Sequence, residues 1–150
     1  MVLAALDRYH LHDKAKVEAE HHRIGVGHEG KPQNLVSNGE EHWNHWEAPN
    51  HKNSWVEVEF PEKLEIKGIG FKSAHDHPRM NATHVKVHQH KKIGGWKDIG
   101  HHDLDFGLHN NHEIKFHGLH ANTRKMRFEF HNKHDSPDGI QLGEIIFYKP

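Results

Sequence analysis

Residues 41–46 bring two imidazoles and two indoles together within one short segment. The candidate ligand-binding residues in it are His42, Trp43, His45 and Trp46. A sugar ring can stack on the face of an indole while imidazole groups form hydrogen bonds with its hydroxyls. The segment therefore predicts a glycan-binding surface. The alternative is that the indoles belong to the core and the histidines are only solvated.

Residues 74–79 hold a second candidate group, formed by His75, Asp76, His77 and Arg79 in a predicted loop. The spacing of His75 and His77 suits Zn²⁺, Cu²⁺ or Ni²⁺ if a third ligand comes from elsewhere in the chain. Arg79 could instead hold a carboxylate or phosphate through two parallel hydrogen bonds. An exposed polar loop is the third interpretation.

A third candidate group lies in the loop before the last predicted strand. It contains the ligand-binding candidates His131 and His134, with Asp135 beside them. The same interpretations apply to this group as to the loop that holds Arg79.

Histidine is the most unusual component of the composition. Protonation of all 21 histidines would change the formal net charge from −1 to +20. Because the ordinary histidine pKa of about 6.5 lies in the physiological window, this predicts a charge that depends strongly on pH. The alternative function is therefore a pH-responsive or transition-metal-binding protein that associates with an anionic membrane, the cytoskeleton or another protein when its histidines are protonated.

Enzyme signatures are absent from the sequence, which contains neither a nucleophile elbow nor a His-Glu-x-x-His pattern. Residues 25–30 match G-x-G-x-x-G literally, but Pro32 stands where a P-loop would need a hydroxyl and no helical period follows. The basic residues are balanced by acidic ones, which disfavours constitutive binding of nucleic acid. We therefore expect a protein that is not an enzyme.

The elements that must position these groups are predicted to be strands. Alternation of apolar and polar residues is clearest over residues 54–60 and 83–90, weaker strands are predicted at 96–100, 113–116 and 125–130, and the last strand is predicted at 140–148. Residues 64–72 change phase near Gly68, which predicts a bulge. Residues 13–20 could form either a short helix or an entry strand.

The predicted strand at residues 83–90 should present a row of histidines to solvent. Val85 and Val87 point one way, so His84, Lys86, His88 and His90 should share the opposite face.

Length and composition predict a single domain over residues 1–150, with residues 1–16 as an N-terminal extension. The chain has no cysteine, and its first residues hold only a short apolar stretch. These features predict a cytoplasmic protein, with secretion as the alternative.

Short segments spread over residues 17–148 together resemble the discoidin or F5/8 type C (galactose-binding-like) domain superfamily. The most characteristic of them is Trp55-Val56-Glu57-Val58, which resembles the family's tryptophan-containing strand. The other segments are Val17-Glu18-Ala19-Glu20, Asn34-Leu35-Val36, residues 39–43, residues 85–88 with Trp96, residues 124–128, and Gly143-Glu144-Ile145.

The resemblance implies an all-β, jelly-roll sandwich of about eight antiparallel strands that binds a ligand through loops at one end. It implies a non-enzymatic carbohydrate-binding, lectin-like module with a glycan as its partner. A scaffold subunit of a protein complex is a further alternative. The family's Ca²⁺ site would fall on Asn38, Glu40 and Glu144, although Val36-Ser37-Asn38-Gly39 departs from the usual acidic pattern.

Overall fold

The computed structural model describes residues 7–24, 27, 29–37, 44–135 and 139–150, and it is built almost entirely from antiparallel β-strands. Short 3₁₀ helices occupy His12–Lys14, Pro32–Val36 and Pro78–Met80. The strands are β1 (Lys16–Ala19), β2 (Trp46–Pro49), β3 (Asn53–Ile66), β4 (Gly68–Lys72), β5 (His84–His90), β6 (Trp96–Asp103), β7 (Glu113–Phe116), β8 (Ala121–His131), β9 (Gly139–Leu142) and β10 (Glu144–Tyr148).

The strands form a five-stranded sheet in the order β1-β3-β8-β5-β6, a three-stranded sheet in the order β10-β4-β7, and the pair β2-β9. The predicted all-β sandwich is confirmed, with ten strands in the described residues instead of about eight. One reason is that residues 140–148 form two strands. Gly143 separates β9 from β10, and a Cβ there would lie 2.5 Å from the carbonyl oxygen of Ser73.

The change of side-chain phase near Gly68 is not caused by the predicted bulge. Lys67 separates β3 from β4, which belong to different sheets, so the chain crosses between layers there. The irregular pairing lies earlier, between Glu59 and Leu64, where β3 changes register against β8. Near the N-terminus, the undecided segment contains strand β1, which pairs with β3.

The core lies between the sheets and is rich in aromatic side chains. Phe71 on β4 makes edge-to-face contacts with Phe128 and Phe130 on β8, at centroid distances of 5.8 and 6.0 Å. Each such side chain stabilises the fold by about 1.5–3 kcal/mol through burial. Alternation places Val56, Val58 and Phe60 of β3 in the same core.

The two ends of the sandwich differ. We call one the loop end: it carries residues 73–83, 103–107 and 131–135, together with the start of β3. At the other end the two chain termini run side by side, because Tyr9 N–H donates to Phe147 O and Lys149 N–H donates to Asp7 O. No helix in the described part of the chain has the length and apolar character needed to cross a membrane.

Candidate ligand-binding site at the loop end

The loop that carries His75, Asp76, His77 and Arg79 is held in place by a buried glutamine. Gln141 on β9 is fully buried, and its side-chain amide donates to Asp76 O at 2.7 Å and to His77 O at 2.9 Å. His77 has a left-handed backbone (φ 49°), which turns the chain into the 3₁₀ helix Pro78–Met80. The four side chains thus stand on a rigid support while Asp76, His77 and Arg79 are exposed.

A second buried amide joins this loop to the one after β8. Asn132 Nδ2 donates to Arg79 O at 2.9 Å and to Gly139 O at 2.8 Å, and Asn132 Oδ1 accepts from His134 N–H at 3.0 Å. Two candidate groups that are far apart in the sequence, those of Arg79 and His134, are therefore brought together.

Positive charge gathers around the half-buried His134. Burial lowers the pKa of this imidazole, and the charges of Arg79 and Lys52 lower it further. Lys52 Nζ also donates to His134 O. His134 is therefore a neutral ring near pH 7, able to donate at one nitrogen and accept at the other.

A depression of about 300 Å³ opens beside His134. Its floor includes the buried side chains of Leu104 and Phe106, and the exposed carboxylates of Asp103 and Asp105 also line it. The depression thus combines a neutral imidazole and anionic acceptors with apolar groups, and the cations Arg79 and Lys52 act on that imidazole. Its volume lies at the small end of ligand pockets, and its polar groups suit a small ligand with several hydroxyls.

A wider groove of about 430 Å³ continues from this depression across the sheet. His84 and Asp103 line both, and His84 Nε2 lies 3.0 Å from Asp103 Oδ1. The candidate His131 lies in this groove and not in the depression, and burial lowers its pKa.

For Trp46 and His45, the sequence-based prediction of a binding surface was wrong. Trp46 is fully buried on β2, its ring lies 5.7 Å from that of Phe130, and its Nε1–H donates to His21 O at 2.9 Å. His45 is also buried, with Nε2–H donating to Glu47 Oε1 at 3.2 Å, and this bond is the main cause of the lowered pKa of Glu47. Neither ring presents a free face to a ligand, because both side chains are buried.

The other residues of that segment, His42 and Trp43, lie outside the described residues, as do Asn38 and Glu40. Glu144, the remaining candidate Ca²⁺ ligand, is buried and forms an ion pair with Arg8. In the part of the chain that the structure describes, no three His, Asp or Glu side chains are grouped so as to hold a metal ion. Calcium, and transition metal at His75 and His77, stay predictions.

Some residues of the site escaped the sequence analysis. Asp103, Asp105 and Lys52 belong to no local pattern, and the two aspartates lie far from Lys52 in the sequence. Only the pairing of β5 with β6 and of β3 with β8 brings them to the same end.

Comparison with known proteins gives a consistent result. A family model described as the F5/8 type C domain matches residues 16–145. A search of curated protein sequences finds no match.

Similar solved structures share the fold at low sequence identity. One is CpGH89CBM32-5 from Clostridium perfringens in complex with GalNAc-β-1,3-galactose, with a TM-score of 0.77, 12% identity, and coverage of 95% of this chain and 99% of that one. The family 32 module of C. perfringens NanJ, in complex with galactose, has a TM-score of 0.72, 9% identity, and coverage of 93% and 97%. The family 32 carbohydrate-binding module of Streptococcus pneumoniae EndoD has a TM-score of 0.77, 10% identity, and coverage of 96% and 100%.

Proposed function

This chain belongs to the F5/8 type C domain family, and from that membership we propose that it is a non-enzymatic carbohydrate-binding module whose glycan site is the depression at the loop end. Structures with the same fold have been solved with galactose and with GalNAc-β-1,3-galactose. The ligand class proposed here is accordingly a glycan with a galactose-type sugar at its exposed end.

The observation that carries the proposal is the grouping of His134 with Asp103 and Asp105 in one depression, with the positive charge of Arg79 acting on His134. Each sugar hydroxyl both donates and accepts a hydrogen bond, so a sugar is held best where donors and acceptors stand close together. A ligand of one charge sign would meet a repelling group in this site. The buried amides of Gln141 and Asn132 hold the loops before the ligand arrives, which reduces the entropy lost on binding.

Isothermal titration calorimetry with galactose and N-acetylgalactosamine at neutral pH tests the proposal. Arg79→Ala should weaken sugar binding roughly tenfold or more, since a hydrogen bond to a charged group contributes about 1.5–3 kcal/mol. His134→Ala should weaken it roughly two- to tenfold, since a hydrogen bond to a neutral group contributes about 0.5–1.5 kcal/mol. Arg124→Ala is the matched control, because Arg124 is an exposed arginine near Pro61, at the opposite end of the sandwich. Unchanged affinity in both loop-end variants, or equal loss in the control, would contradict this site.

A further inference from the structure

The outer face of the five-stranded sheet carries two tryptophans that the loop-end site does not use. Trp55 on β3 and Trp96 on β6 are both half-buried and lie on the side of the sheet away from the core. Arg127 on β8 lies between them, with its guanidinium carbon 4.8 Å from the centre of the Trp55 ring and 5.9 Å from that of Trp96.

A groove of about 280 Å³ runs along Trp96 and Arg127. His88 and Glu129 complete its lining, and His88 Nε2–H donates to Glu129 Oε2 at 2.7 Å. The predicted row of histidines on β5 is therefore on the outer face, but His88 is largely covered by this contact: its side chain is 12% exposed.

The charges around the two indoles are mixed in sign. Arg127 lies 3.8 Å from Glu57, and Lys86 lies 3.8 Å from Asp98. The face therefore offers no field of one sign for an acidic polymer, but it does offer alternating donors and acceptors beside flat apolar rings. A pyranose has the complementary surface, with an apolar face and a rim of hydroxyls.

Two indoles on either side of a guanidinium cover a length greater than that of one sugar ring. We propose that this face is a second glycan site, in which Trp55 and Trp96 stack on different sugars of one neutral oligosaccharide while Arg127, His88 and Glu129 bind its hydroxyls. The inference rests on the proposed function, since it extends carbohydrate binding from the loop end to the sheet face. The loop-end site binds a single sugar, whereas the site on the outer sheet face requires an oligosaccharide of several sugars.

The test is a ¹H–¹⁵N NMR titration that follows the indole N–H signals, assigned with Trp55→Phe and Trp96→Phe. The probes are galactose and neutral tetrasaccharides of β-1,4-linked galactose, glucose and N-acetylglucosamine. At least one tetrasaccharide should shift the signals of both Trp55 and Trp96, and galactose should shift neither. Trp96→Ala should weaken that tetrasaccharide roughly tenfold, which is about 1.4 kcal/mol, because one sugar loses the apolar ring on which it stacks.

Variants separate the two sites. Arg79→Ala should leave the tetrasaccharide response of Trp55 and Trp96 intact, and Trp96→Ala should leave galactose binding intact. Lys97→Ala, an exposed neighbour of Trp96, is the control and should change neither. If galactose binds but no tetrasaccharide moves the Trp55 and Trp96 signals, the face proposal is overturned while the loop-end function stands. Wild-type tetrasaccharide affinity in a folded Trp96→Ala variant would also overturn it.

Discussion

Replacing Trp46 with alanine should lower the free energy of unfolding by a large amount and not merely remove a ligand contact. The side chain is fully buried between the layers, packs against Phe130, and donates its only polar hydrogen to His21 O. The variant would leave a cavity in the core and a carbonyl without its donor.

The expected cost follows from these two losses. Truncating a buried aromatic side chain to alanine costs about 3–5 kcal/mol, and leaving a buried acceptor without a partner adds about 1–3 kcal/mol. The sum, roughly 4–8 kcal/mol, is a large share of the 5–15 kcal/mol that is typical of a whole domain. Trp46→Phe keeps most of the packing and should cost about half as much.

Equilibrium unfolding in urea, followed by far-UV circular dichroism, measures the effect. With a slope of about 2 kcal/mol/M, the midpoint of Trp46→Ala should fall by roughly 2–4 M. Trp96→Ala is the matched control, because it deletes the same side chain from the outer face, where only contacts such as the one with Arg127 are lost. Its cost should stay near 1 kcal/mol.

The refuting result is a Trp46→Ala variant that unfolds within about 1 kcal/mol of the wild type. It would mean that β2 does not bury its first residue. The predicted glycan-binding surface at residues 41–46 would then stand.

Two further predictions concern the support of the loop end and the histidines. Gln141→Leu should lower the free energy of unfolding by about 2–4 kcal/mol, because the carbonyls of Asp76 and His77 lose their donor. Calorimetry should also show weaker galactose binding, although Gln141 lines no part of the depression. Wild-type affinity in this variant would contradict the idea that Gln141 supports the loop for binding. The pKa of His102 is lowered mainly by burial, so the unfolded chain binds this proton more tightly and stability should fall as the pH drops below about 6.5. In urea unfolding, His102→Leu should reduce the loss of stability between pH 7.5 and 5.5. An unchanged loss in this variant would contradict the role of His102.

Local alternation in the sequence was enough to predict much of the fold. Residues 113–116 were predicted as a strand and form β7, and residues 83–90 contain β5. These strands have one buried and one polar side, so the side-chain period is visible without knowledge of the partner strand. The short strand β2 carries no such signal. It exists because Trp46 pairs with Leu142, almost a hundred residues later, and a loop was predicted in its place.

The candidate site shows the same limit. Arg79 and His134 were each recognised by residue type, but the link between them is the side chain of Asn132, which no spacing in the sequence reveals. Asp103 and Asp105 follow a polar strand and resemble ordinary surface acids until the sheet places them beside His134. Residue type identifies candidates, whereas their grouping depends on contacts that are distant in sequence.

The side-by-side termini also determine how the module can be attached to something else. Asp7 and Lys149 are joined by a hydrogen bond, and Lys67 N–H donates to Tyr148 O where β3 ends, away from the loops. Chain that precedes Asp7 and chain that follows Lys149 therefore leave from one spot, on the side away from the loop end. Immobilisation through residue 150 should keep the depression open to a glycan-coated surface, and a linker joining Asp7 to Lys149 would be short enough for circular permutation.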